Sequence, residues 1–190
     1  MRMIIDKIIF DQYFHWQTIP IQLGKIRSLA VDFENNSLYL GTKYNGIYTS
    51  LDGGNTWAAA ESGLPMSFDG YYYAAGFLEL APDSSKVIWA AISSKGLYGS
   101  CDGGKNWHCN SDALNGISIN CLTIDPNKSG AIYVGTKQGV FITTDGAKTW
   151  EKMNEGLTNL DVRALAIDPN DSRIIYAGTW DGGVFKHVRD

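Results

Sequence analysis

Nothing in this 190-residue sequence offers a continuous basic surface: 16 lysines and arginines stand against 20 aspartates and glutamates, a formal charge of −4. Charge-driven binding along a nucleic-acid backbone is therefore not expected. Cysteine is scarce. Cys101, Cys109 and Cys121 form an odd set at irregular spacing, which gives no disulfide framework. Cys101 and Cys109 flank one hairpin and could meet across it; reduced thiols packed as small apolar groups are the plainer expectation. No apolar run is long enough to span a bilayer as a helix. Residues 1–10 are rich in Ile and Met, but Asp6 and Lys7 interrupt them and no small-residue cleavage site follows. The default is a cytoplasmic protein, with a secreted or periplasmic one open if a leader has been removed. Sustained helical periodicity is missing as well.

What the chain has in plenty is aromatic residues, at 12%, and 21 glycines, a mixture that suits many short strands and many tight turns. The strands repeat. Residues 38–42, 88–92, 132–136 and 175–179 are four copies of one apolar strand, and each is followed by a glycine, Gly46, Gly96, Gly139 or Gly183, that opens another. Those glycines are spaced 50, 43 and 44 residues apart. A third set, residues 26–32, 77–81, 120–125 and 163–168, precedes them. Each copy reads as strand A, turn, strand B, turn, strand C, hairpin, strand D. Four short strands recurring at this period match one blade of a β-propeller.

The hairpin between strands C and D is the sharpest signal. Ser50, Asp52, Gly54 and Trp57 recur at the same spacing as Ser100, Asp102, Gly104 and Trp107, and again as Thr143, Asp145, Ala147 and Trp150. The carboxylate can accept hydrogen bonds from turn N–H groups, glycine supplies positive φ, and the tryptophan anchors the outgoing strand on apolar surface. Ala147 breaks the glycine position, which predicts local strain. These hairpins resemble the Asp-box, or BNR repeat, of sialidases, xyloglucan-active glycoside hydrolases, sortilin-type receptors and photosystem II assembly factors. The resemblance implies an all-β propeller with four blades per chain, each a four-stranded antiparallel sheet. The blades are expected at about 26–62, 71–111, 118–154 and 162–188, within a single domain 1–190.

The fourth copy ends at strand C. Near the other end, Asp11 precedes Trp16 by the Asp-to-Trp offset of the hairpins, so residues 14–20 read as a degenerate strand D that completes the last blade. Closure would remove an unpaired sheet edge. Three arrangements follow from this: a closed four-bladed monomer, a homodimer exchanging terminal strands, or a piece of a longer array. Residues 4–10 have no place in the first.

Candidate sites divide by edge of the blade. Asp52, Asp102 and Asp145, one per hairpin, are too dispersed for calcium and are expected to be structural, as the resemblance implies. Asp32, Asp125 and Asp168 end strand A and read as turn chemistry. His15, His108 and His187 lack metal-ligand spacing, so no metal and no cofactor is expected. The opposite edge, built from B–C turns and D–A loops, is the expected ligand face. There the loop after Trp57 is longer than its counterparts and carries Phe68, Tyr71 and Tyr72, with part of the tyrosine run expected in a strand. Tyr44, Trp180 and Asp181 from B–C turns share that edge, as do Lys43, Lys95 and Lys137. Arg27 and Arg163 begin strand A in the first and last copies and would be neighbours in a closed ring, gripping an anion or pairing structurally.

No catalytic residue is nominated. Sialidase chemistry would need an arginine triad, and the chain holds five arginines without the associated Arg-Ile-Pro start. A glycoside hydrolase needs two facing carboxylates, and no pair stands out. The expectation is a noncatalytic binding or assembly propeller for a protein or carbohydrate ligand. The alternatives are a glycoside hydrolase relative, or half of one, and a minimal repeat fragment without specific activity.

Overall fold

A computed structural model describes residues 18–19, 21–110 and 112–189. Residues 11–17, and with them Trp16, His15 and most of the expected closing strand, lie outside the described residues. The chain is a β-propeller built of four antiparallel sheets. The first contains β1 (Ile26–Asp32), β2 (Ser37–Thr42), β3 (Ile47–Ser50) and β4 (Ala58–Ala59). The second contains β5 (Ala75–Ala81), β6 (Ser84–Ile92), β7 (Gly96–Ser100) and β8 (His108–Cys109). The third contains β9 (Ile119–Asp125), β10 (Lys128–Thr136), β11 (Gly139–Thr143) and β12 (Glu151–Lys152). The fourth contains β13 (Val162–Asp168), β14 (Asp171–Thr179) and β15 (Gly183–Val188), three strands among the described residues. Within each sheet the strands follow chain order as a meander.

The tyrosine run departs from expectation. β5 begins at Ala75, and residues 71–73 make only an isolated bridge, Met66 with Tyr72. The reason is local: Tyr71 and Tyr72 use their main chain inside the loop, Ser67 N–H donating to the Tyr71 carbonyl at 2.7 Å and Tyr72 N–H to Tyr44 at 3.0 Å.

Strand A of each sheet packs on strand A of the next, β1 on β5, β5 on β9 and β9 on β13, with no comparable packing between β1 and β13. Three apolar clusters fill the three boundaries. Tyr39 and Ile47 of the first sheet meet Leu78, Ala90 and Trp107 of the second. Trp89 and Leu97 meet Leu122, Val134 and Phe141. Tyr133 and Val140 meet Val162, Ile175 and Ala177. Alternation along a strand sends successive side chains to opposite faces, so each of the two middle sheets contributes one face to the cluster before it and the other to the cluster after it.

The C–D hairpins are tied by their own polar groups. Asp52 accepts from the Thr56 N–H at 2.8 Å and the Thr56 hydroxyl at 2.6 Å, while Ser50 Oγ donates to it at 2.8 Å and accepts from Gly54 N–H at 2.8 Å. Asp102 with Ser100 and Asn106, and Asp145 with Thr143 and Thr149, repeat the pattern. Hydrogen bonds to the charged form hold Asp52, through Thr56, and Asp102, through Asn106, down to about 2. The same cause, led by Thr149, lowers Asp145. Trp107 crosses the boundary, its indole N–H donating to the Ala60 carbonyl of the preceding sheet at 2.8 Å; Trp57 reaches only Gly54 of its own hairpin, at 3.0 Å. The A–B turns follow the turn chemistry of Asp and Asn. Asp125 accepts from Asn127 N–H at 2.8 Å and also from Ser172 Oγ at 2.6 Å, stitching the third sheet to the fourth.

Candidate ligand face

The B–C turns and D–A loops share one edge of the sheets, opposite the C–D hairpins. On it the long loop of residues 60–74 folds back against the first B–C turn. Thr42 organises that turn: its hydroxyl donates to the Gly46 carbonyl at 2.8 Å and accepts from Asn45 N–H at 2.8 Å. Gly46 sits at φ +71°, and the Tyr72 ring lies so close that a Cβ there would meet it at 3.3 Å. Glycine thus suits this position twice, for its conformation and because a Cβ would press on the Tyr72 ring. Burial, with Glu61 nearby, pushes the Tyr72 phenol up.

The result is a shallow cleft of about 320 Å³ between the first and second sheets, lined by Lys43, Tyr44, Asp69, Tyr71, Tyr72 and Tyr73 among others. Tyr44 and Tyr71 meet edge to face at 6.1 Å. Lys43 Nζ lies 4.7 Å from the Tyr44 ring centroid and Lys95 Nζ 4.7 Å from that of Tyr73. Each lysine lies over an aromatic face, an arrangement that holds both ring and charge in place. The Lys43 ammonium also lowers the Tyr44 phenol. Phe68 stands fully exposed at the tip of the loop, inside the turn closed by the Gly70 N–H donating to the Ser67 carbonyl at 3.1 Å.

A second group forms on the fourth sheet. Arg163 pairs with Asp161 at 2.7 Å and lays its guanidinium 4.6 Å from the centre of the exposed Trp180 ring. Trp180 N–H donates to the Asp161 carbonyl at 2.9 Å, which fixes the turn beneath the stack. Asp181 is exposed beside it. Of the residues expected on this face, the structure therefore groups Tyr44, Tyr71 and Tyr72 at one end of the array and Trp180 with Arg163 at the other. Arg27, exposed at the start of β1, is not grouped with Arg163, because β1 and β13 share no packing comparable to that of neighbouring sheets among the described residues.

Glu79, on β5, is a residue that sequence reasoning passed over. Burial raises its carboxyl to about 7, with the Ile124 N–H of the next sheet the one partner that favours the charge. It has no acidic counterpart in the other copies, where Ala30, Thr123 and Ala166 stand, so no repeat pattern pointed to it. Cys101 and Cys109 are free and exposed, and Cys121 is buried, its thiol pushed up to about 11 by desolvation. Among the described residues no cluster of three His, Cys, Asp or Glu side chains could hold a metal ion, and no helix is long and apolar enough to cross a membrane.

No protein-family model matches the chain, and no curated protein matches it. Solved structures do. A GH74 enzyme of Niastella koreensis superposes with a TM-score of 0.70 at 21% identity, over 86% of this chain and 28% of that one. The extracellular domain of a putative one-component system, BT4673 of B. thetaiotaomicron, gives 0.69 at 18%, over 92% and 23%. The computationally designed Ika4 protein gives 0.67 at 13%, over 93% of this chain and 100% of its own. The chain spans about a quarter of the length of the two natural proteins. Likeness at such identities fixes the propeller fold and carries no activity with it.

Proposed function

We propose that this propeller chain is a noncatalytic recognition module that takes a protein or carbohydrate ligand in the cleft between its first two blades. The carrying observation is the Tyr44–Tyr71 pair with Lys43 and Lys95 laid over neighbouring rings. Tyrosines present large apolar faces with a polar tip and lose little freedom when they bind, which suits both sugar rings and peptide side chains. The flanking ammonium groups favour a ligand bearing carboxylates. Glycoside hydrolysis requires two carboxyl groups across the scissile bond, and the carboxylate lining this cleft is that of Asp69. That composition favours binding over turnover, although a GH74 enzyme shares the fold.

The test is a screen of glycans and peptides, neutral and acidic, followed by calorimetric titration of the best ligand. Tyr71→Ala and Tyr44→Ala are each expected to weaken binding by ~10-fold or more, and Trp180→Ala, at the far end of the array, by much less. Binding indifferent to both tyrosines would remove the cleft from consideration. Release of reducing sugar from a β-glucan would replace the binding module by the hydrolase.

A further inference from the structure

The first and last sheets each leave apolar side chains of one outward face exposed, and the exposed positions are mates by repetition. Tyr39, Trp89 and Tyr133 occupy one strand-B position, and Ile47, Leu97 and Val140 one strand-C position, all buried against the following sheet. Their equivalents on the fourth sheet are Tyr176 and Val184, 36% and 76% exposed. On the other side, Leu78 and Leu122 of strand A are each 7% exposed against the preceding sheet, and the equivalent Leu29 is 58% exposed.

A groove runs along the outer end of the last boundary, lined by Val140, Met153, Gly156, Leu157, Phe185 and His187. Its counterpart at the first boundary is occupied by Trp107, whose indole N–H donates to Ala60 and whose backbone N–H donates to the Ser62 carbonyl, each at 2.8 Å. Met153, Glu155, Gly156 and Leu157 follow Trp150 at the spacing at which Ala60, Ser62, Gly63 and Leu64 follow Trp57. A Cβ added at Gly63 would run into the Trp107 carbonyl, whereas at Gly156 it meets no described atom within 4 Å. The groove thus has the form of a seat for a tryptophan-bearing strand D.

We infer that the occupant is the strand around Trp16 of a second copy of this chain, so that two copies close head to tail into one ring of eight blades. The described residues that follow Trp16 lie on the outer side of the first sheet. Ile19 stands three residues after Trp16, as Ala60 does after Trp57, and it lies beside Gly54, at the point where Leu38 of the first sheet also approaches that glycine. Leu38 is equivalent to Ile88, which belongs to the face of its sheet that looks back along the array. Residues 18–19 therefore sit on the side of the first sheet that faces away from the second, which is the side where an abutting sheet would receive a strand leading into them. Among the described residues β13 and β1 share no packing comparable to that between neighbouring sheets, so the chain's own fourth sheet does not stand there. A head-to-tail contact that closes after two copies buries Leu29, Tyr176 and Val184 at both junctions and leaves no open face.

Light scattering on the full chain tests this. The expected mass is twice 20.9 kDa, falling to the single-chain value in Val184→Glu, a change at a solvent-facing position that leaves the circular dichroism of the sheets intact. Trp16→Ala is expected to weaken the dimer by ~10-fold or more. A 20.9 kDa particle at micromolar concentration, a closed monomer included, would overturn the inference. So would open-ended oligomers, or a dimer indifferent to Val184→Glu. A dimer indifferent to Trp16→Ala would overturn the assignment of the seat.

Discussion

The second and third blades and the first and fourth are written with the same strand pattern, yet their apolar residues meet different fates. Val140 is buried at the centre of a cluster, and its repeat equivalent Val184 faces water. Trp107 reaches across to the sheet before it, and among the described residues the Trp57 indole N–H is held by its own hairpin. In a repeat array each unit is stabilised by its neighbours more than by itself, so burial is a property of position in the array and cannot be read from a repeat in isolation. The same valine is a core residue or a docking residue depending on what stands beside it.

The largest expected effect breaks that equivalence directly. Val140→Ala should cost about 2 kcal/mol in urea unfolding, the transfer term of the lost methyls plus a cavity. Val184→Ala should stay within ~0.5 kcal/mol when the chain is dilute, as exposed substitutions do. Raising the protein concentration sharpens the contrast: if a second copy covers Val184, its cost grows with concentration, because association stabilises the folded state by mass action. Equal costs for the two valines in dilute chain would mean that the end faces are already covered within one chain.

A smaller effect compares strand A across the blades, where Glu79 stands alone among Ala30, Thr123 and Ala166. Its folded carboxyl titrates near 7 instead of near 4.5 because burial penalises the charge. A raised folded value means that the folded state holds the proton more tightly than the unfolded one. Stability therefore falls as pH rises from about 4.5 to about 7 and stays reduced above that window. Glu79→Gln removes the penalty. The difference between variant and parent should be near zero at pH 4, open across the window and level off at ~1–3 kcal/mol at pH 8. A difference independent of pH would place the Glu79 carboxyl in water.

Much of this was legible in the sequence. The glycines that open strand C and the Ser/Thr–Asp–Trp hairpins gave the repeat, the strand order and the propeller, because turn chemistry and alternation are local and survive in every copy. The loop aromatics Phe68, Tyr71 and Tyr72 stood out through an irregularity, the longer loop after Trp57. What escaped was relational. Part of the tyrosine run was expected in a strand, but its backbone bonds go to Ser67 within the loop and to Tyr44 of the first B–C turn. The stack of Arg163 on Trp180 depends on Asp161 orienting the guanidinium, and nothing in the spacing of arginines announces it. Glu79 broke the repeat in one copy only, and a lone acidic residue in a strand reads as solvated until its neighbours are placed.

The smallest effect belongs to the hairpins themselves, where the third departs from the other two. Gly54 and Gly104 adopt φ of +94° and +83°, and Ala147 occupies the same position at φ +68°. A left-handed backbone costs an L-residue about 1–2 kcal/mol. The Ala147 methyl is also fully buried in the cluster between the second and third blades, and a buried carbon of that size is worth ~0.8 kcal/mol. The two nearly offset, with strain the larger, so Ala147→Gly should stabilise the chain by ~0.5 kcal/mol. The converse change probes the same balance. A Cβ at Gly104 would lie 3.5 Å from Tyr39 and 3.6 Å from Trp107, ordinary contacts that demand no repacking, so Gly104→Ala should lose ~0.5 kcal/mol through its backbone. Opposite shifts in the two midpoints of thermal unfolding are the expected outcome. If both variants lose stability, the buried methyl outweighs the strained turn, and the third hairpin is held by its packing and not by its loop geometry.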